Sequence, residues 1–175
     1  MTTRLRYQLA ISLDGFIAPH DGGLNWLDPY RSLAFDHFNR FIKGIGAVVM
    51  GRATYDVMQS MGGTAGFGEM PVAVMTSRPL QQDPEKYAIA SRNPAQAFSD
   101  LRGRMKKGDI WLMGGADTAA RFLNADLIDS IELTVVPEIL GGGTPLFSGA
   151  SPTRFKLGSS KAVALGAIEL IYVRI

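Results

Sequence analysis

The chain repeats one rhythm that few folds can accommodate. Short, unbroken apolar runs stop at glycine or at a hydroxyl-rich turn, and a helix-period segment then follows. Ala47-Val48-Val49-Met50 ends at Gly51, and Pro71-Val72-Ala73-Val74-Met75 ends at Thr76-Ser77-Arg78-Pro79. Asp109-Ile110-Trp111-Leu112-Met113 ends at Gly114-Gly115. A strand without a polar face needs cover on both sides, as in a parallel sheet sandwiched by helices. The helical segments supply that cover: Phe35, Phe38, Phe41 and Ile42 recur at helical spacing with Asp36, Asn39 and Arg40 between them, which predicts a helix over 32–43.

The same reading gives a strand at 4–12, a loop at 19–30, and helices at 53–60, 94–105 and 116–124. Further strands fall at 87–90 and 128–136. From about residue 144 the rhythm turns to β segments alone, at 145–147, 153–160 and 167–174. The expectation is one α/β domain over 1–175, with a mostly parallel central sheet and an antiparallel C-terminal β hairpin. The Gly141-Gly142-Gly143 run reads as a flexible turn.

Composition narrows the chemistry. The 175 residues contain no cysteine, which excludes disulfides and thiolate metal sites. Net charge is only +2. The one basic cluster, Arg102-Gly103-Arg104-Met105-Lys106-Lys107, sits where it complements the end of a helix, so no nucleic-acid partner is expected. The two histidines, His20 and His37, fall in a loop and on a helix without ligand spacing, and no metal site is expected. Neither a secretory signal nor an apolar run of membrane length is read, so the expectation is a cytoplasmic protein without a membrane partner.

In open α/β sheets, ligands sit beyond the C-terminal ends of the parallel strands. Three such ends here have the makings of an anion site: Gly51-Arg52-Ala53-Thr54, Thr76-Ser77-Arg78 and Gly114-Gly115-Ala116-Asp117-Thr118. Glycine admits a close phosphate, the following helix offers free N–H groups, and arginine offers charge-assisted donors. Each motif alone also reads as an ordinary turn. The Gly-x-Gly-x-x-Gly fingerprint and the P-loop are both missing.

The segments Ser12-Leu13-Asp14-Gly15-Phe16-Ile17-Ala18, Val48-Val49-Met50-Gly51-Arg52-Ala53-Thr54-Tyr55 and Met113-Gly114-Gly115-Ala116, together with Val136-Pro137-Glu138-Ile139-Leu140-Gly141-Gly142-Gly143-Thr144-Pro145, carry a resemblance. The chain resembles the dihydrofolate reductase-like superfamily, in particular bacterial proteins similar to the C-terminal reductase domain of riboflavin biosynthesis. The resemblance implies a three-layer α/β/α sandwich, NADPH as cofactor, a small heterocyclic substrate and a homodimer. Carried over by position, Ala10, Ile17 and Ala18 line the nicotinamide end, while Gly51, Arg52 and Thr54 meet phosphates. Thr76, Ser77 and Arg78 flank the adenine and 2′-phosphate, and Gly114, Gly115, Ala116, Asp117 and Thr118 wrap the central phosphates.

For the substrate, the resemblance points to Trp26, Phe38 and Met113, with Asp14 and Asp36 as the catalytic acids. Both acids have a second reading. Asp14 precedes glycine and can simply form a turn, and Asp36 can be a solvated helix residue. The loop 62–69 is expected to shape the substrate pocket. Besides a working reductase, a module that keeps NADPH but has lost catalysis remains open, as does a purely structural protein.

Overall fold

The computed structural model describes residues 2–80 and 88–175. Its chain order is β1 (Leu5–Ser12), β2 (Phe16–Ala18), α1 (Arg31–Phe41), β3 (Ile45–Gly51), α2 (Arg52–Ser60), β4 (Val72–Met75), β5 (Ala88–Ser91), α3 (Pro94–Arg104), β6 (Asp109–Gly114), α4 (Ala116–Asn124), β7 (Ser130–Val136), β8 (Thr144–Pro145), β9 (Phe155–Ala162) and β10 (Ile168–Arg174). An eight-stranded sheet runs β5-β4-β3-β6-β1-β7-β10-β9. Within the run β5-β4-β3-β6-β1-β7 adjacent strands are parallel. The β9–β10 hairpin joins β7 antiparallel, so the expected α/β sandwich with an antiparallel closing hairpin is the observed fold.

Strand alternation sorts the apolar residues into two layers. Leu5, Tyr7, Val49, Ile110, Leu112 and Ile131 face one way and pack with Ala97 and Leu101 of α3 and Ala119 and Phe122 of α4. Val48, Met50, Val72, Val74 and Trp111 face the other way, under Phe41 of α1, Tyr55 of α2 and Phe67. Trp111 is the hub of this second layer. Rings of Phe38, Phe41 and Phe67 stand 5.8, 5.4 and 6.1 Å from it, in the tilted and edge-on arrangements that aromatic quadrupoles favour.

Beside that layer the central strands are polar. Arg6 on β1 makes two 2.7 Å hydrogen bonds to the Glu132 carboxylate on β7. Ser130 also donates to Glu132, at 2.8 Å. The Arg6 guanidinium lies 4.5 Å from the Phe41 ring centre, so a buried ion pair ties two strands to the end of α1.

The helix ends follow local rules. Asn93 caps α3 by accepting from the Ala95 and Gln96 amides at 2.9 and 3.2 Å, with Pro94 in the first turn. Helices α2 and α4 instead start on Gly51 and Gly115, and neither has a side-chain cap.

Several expectations are adjusted. Residues 25–30 form a 3-10 helix inside the expected loop, because Trp26, Leu27 and Tyr30 pack against Val136 and Ala167. A second, two-stranded sheet joins β2 to β8, a pairing between distant segments too short to announce themselves. The glycine run before β8 is held rather than flexible. Asp14 accepts from the Leu140 and Gly141 amides at 3.1 and 2.7 Å, and a Cβ on Gly143 would lie 2.1 Å from the Ala18 carbonyl oxygen. The expected strand at 87–90 begins at Tyr87, which lies outside the described residues. Among the described residues no helix is long and apolar enough to cross a membrane.

Candidate active site

The register of the parallel strands fixes where a ligand has room. Gly51 at the end of β3 pairs with Met75 of β4, and Met50 pairs with Gly114 at the end of β6. The starts of α2 and α4 therefore open side by side. Gly51 seals the junction between them, since a Cβ there would meet Thr118 Oγ1 at 2.5 Å. Over Gly114 and Gly115, by contrast, an added Cβ would find only Thr54 Oγ1, at 4.0 and 3.9 Å. Gly114 also holds φ +126, a conformation open to glycine.

From this glycine step a cavity of about 800 Å³ runs over the sheet to α1, within the size range of small-molecule sites. Ala53, Thr54, Val57, Gly114 and Gly115 form one end. Arg31, Phe35, His37 and Phe38 of α1 form the opposite wall, and Gln8, Ala10, Trp111, Met113 and Thr134 the floor. Ile17, Ala18 and Thr144 of the small β2–β8 sheet close one side. Phe35 is 66% exposed although it belongs to the apolar stripe of α1, and Leu24 and Val57 on the same cavity are also exposed. Apolar side chains gathered around a concavity and left uncovered mark a binding site rather than a core.

Of the residues singled out by sequence, the cavity brings together Ala10, Ile17, Ala18, Phe38, Thr54, Met113, Gly114 and Gly115. Behind the glycine step lie Gly51, Ala116 and Thr118, all buried, with Asp117 exposed in the first turn of α4. Arg52 is in place at the start of α2 but already engaged, by Asp56 at 2.7 Å and the Pro79 carbonyl at 3.3 Å. Thr76 Oγ1 accepts from the Arg78 amide at 3.0 Å, which shapes the turn through Ser77, and the Arg78 side chain is exposed.

Two expected substrate-side residues, Trp26 and Asp14, stand elsewhere than expected. Trp26 is absent from the lining and packs on the Val136 cluster, its Nε1 buried without a hydrogen-bond partner. Asp14 is not a free acid at the cavity mouth. The Ser12 hydroxyl donates to it at 2.6 Å, and this bond, with those from the Leu140 and Gly141 amides, lowers its pKa below the ordinary carboxylate value. A carboxylate so held is ionised at neutral pH and has no proton to give. The side chain of Asp36 lies outside the described residues. Among the described residues of the segment 62–69 none is in the lining, and Phe67 is anchored against Trp111.

The chain matches the model of the RibD C-terminal domain over residues 3–168. It belongs to the RibD C-terminal domain family. Another chain like it is the uncharacterized protein YwjB of Bacillus subtilis strain 168, 31% identical over 167 residues, covering 95% of both chains. A putative riboflavin biosynthesis protein from Shewanella sp. PV-4 superposes with TM-score 0.81 at 28% identity, covering 99% of each chain. The fold is also that of a dihydrofolate reductase from Enterococcus faecalis solved with NADP(H), at TM-score 0.67, 21% identity, and coverage of 98% of this chain and 96% of that one.

Within this RibD C-terminal domain, sequence reading passed over several cavity residues. Gln8 and Thr134 are polar side chains in strands that also carry Arg6 and Glu132, so nothing in their sequence marked them out. His37 sits one residue from Phe38 and one turn from Phe41 on the helix, and its ring stacks on Phe41 with centroids 6.4 Å apart. Arg92 was missed altogether. It donates to the Ser77 carbonyl at 3.1 Å, adding a second guanidinium beside the Thr76–Arg78 turn.

Proposed function

We propose that this protein is an NADPH-dependent reductase that delivers hydride to a small heterocycle of the ribosylamino-pyrimidine, pterin or dihydrofolate kind. The observation that carries this reading is one cavity that joins a glycine-lined end at the starts of α2 and α4 to an apolar, aromatic wall. A dinucleotide phosphate suits the first and a planar ring the second.

The residues present fit the cofactor. Gly114 and Gly115 leave open space, the uncapped first turns of α2 and α4 direct N–H groups toward it, and Thr54 adds a hydroxyl. Gly51, Arg52, Ala116, Asp117 and Thr118 complete the phosphate end. There Asp117 complements the helix N-terminus rather than an anion. Ala10, Ile17 and Ala18 would bed the nicotinamide, and Thr76, Ser77 and Arg78, with Arg92, the 2′-phosphate. When bound, the reduced nicotinamide supplies the hydride. The chain itself orients the ring against Phe38, Trp111 and Met113 and excludes water there.

The test is a titration with NADPH and, separately, NADH, followed by tryptophan fluorescence and melting temperature. Of the two tryptophans, Trp111 lines the cavity and reports binding, while Trp26 does not. NADPH at a hundredfold excess over its Kd stabilises by about 2.7 kcal/mol, a rise of roughly 5–10 °C for a domain of this size. Joint replacement of Arg78 and Arg92 by Ala removes the preference for NADPH by roughly tenfold or more. Absence of binding by either dinucleotide overturns the reading. A second reading, a module that binds NADPH without turnover, is favoured by the lack of any described carboxylate in the lining. It predicts binding with no loss of reduced-nicotinamide absorbance on any pterin or pyrimidine.

A further inference from the structure

Among the described lining residues, His37 carries the side-chain atom that is buried without a hydrogen-bond partner. It projects from α1 into the lining, and its Nδ1 lies 2.8 Å from Glu169 Oε1 on β10. Its Nε2 is buried and has no hydrogen-bond partner in the protein. Glu169 is itself placed by the sheet. It pairs with Thr134 of β7, which pairs with Ala10 of β1, and both of these line the cavity. Arg40 stands 3.7 Å from the same Glu169 oxygen.

The partner decides the tautomer. An ionised carboxylate only accepts, so Nδ1 carries the proton and donates it to Glu169. In the tautomer this bond selects, the lone pair is on Nε2. A buried acceptor left unmet is costly, and such a group calls for a partner that the protein does not supply. The same cavity is lined by the rings of Phe38 and Trp111 and by Met113. A ligand that satisfies both is a planar ring with an N–H donor on its edge.

We propose that His37, oriented by Glu169, is the specificity-determining residue of this cavity, accepting at Nε2 a hydrogen bond from an N–H or amino group of the bound heterocycle. The proposal rests on the reductase reading for the nature of the ligand, but its test needs no dinucleotide. The probes are a diaminopyrimidine and an unsubstituted pyrimidine, added to the cofactor-free protein. They are followed by calorimetry and by the imidazole nitrogen resonances of His37.

The expected result is that the diaminopyrimidine shifts the His37 Nε2 resonance and the unsubstituted pyrimidine does not. His37→Phe, which keeps a ring on Phe41, weakens the diaminopyrimidine roughly tenfold and leaves the unsubstituted ring unchanged. Glu169→Gln, which frees the tautomer, lowers the same selectivity. The resonance shift is read on the wild-type protein, so it stands even where a variant fails to fold. Diaminopyrimidine that does not bind, that binds with Nε2 unmoved, or that binds His37→Phe as tightly as wild type overturns the proposal. The NADPH titration of the wild-type protein separates this from the reductase reading, since either result can fail while the other holds.

Discussion

At the scale of residues, the polar groups divide into those that build the scaffold and those left for a ligand. Arg6 belongs to the first kind. It is the bidentate partner of Glu132, whose side chain is 7% exposed, and breaking a buried pair leaves an uncompensated charge. Arg6→Ala should lower unfolding free energy by about 3–5 kcal/mol, measured by urea denaturation, and Arg6→Ala with Glu132→Gln should recover part of the loss. Asp14 also builds the scaffold, although it stood out in the sequence as a catalytic candidate. Its folded pKa is lowered, so its contribution to stability is present above the ordinary carboxylate pKa and fades as pH falls through the lowered value. Asp14→Asn should therefore reduce the melting temperature at neutral pH, with the difference from wild type shrinking in strong acid. Hydrogen exchange at the Leu140 and Gly141 amides should quicken in the same variant.

At the scale of elements, the cavity depends on short pieces that hold one another in place. The β2–β8 ribbon pairs Ala18 with Thr144, both on the cavity. Gly143 makes that pairing possible because it holds φ +137 and passes close to the Ala18 carbonyl. Gly143→Ala adds backbone strain of about 1–3 kcal/mol together with the clash. It should lower the melting temperature by several degrees and weaken the proposed binding of NADPH, both read in one thermal-shift series. The long elements were legible in sequence because their apolar periods run over many residues: the Phe38–Phe41 stripe of α1, the unbroken β3, and Asn93-Pro94 at the start of α3. The ribbon was not. A three-residue strand and a two-residue strand carry no period, and their pairing is set by the Asp14 and Gly143 contacts.

At the scale of the whole molecule, the sheet has two open edges, β5 and β9. Nearly all of β9 is exposed, including Leu157, with Lys156, Gly158 and Lys161 along it. Lysine and glycine blunt an edge against indiscriminate pairing. A homodimer through the β9–β10 hairpin would cover Leu157 and Ile168. Light scattering should then give the mass of two chains, and Leu157→Lys that of one; a wild-type mass of one chain would remove the dimer from the reading. The sequence by itself determined the order of the longer strands and helices, and the glycine-ended strands β3 and β6 whose ends lie side by side, because each follows from local periodicity and turn chemistry. Tertiary structure alone decided which polar groups were free to act. Asp14 is engaged by amides more than 120 residues away, Trp26 is folded into a core cluster, and His37 meets Glu169 across 132 positions of chain. Hydrogen bonding and burial depend on what the fold brings alongside a residue, and no local pattern records that.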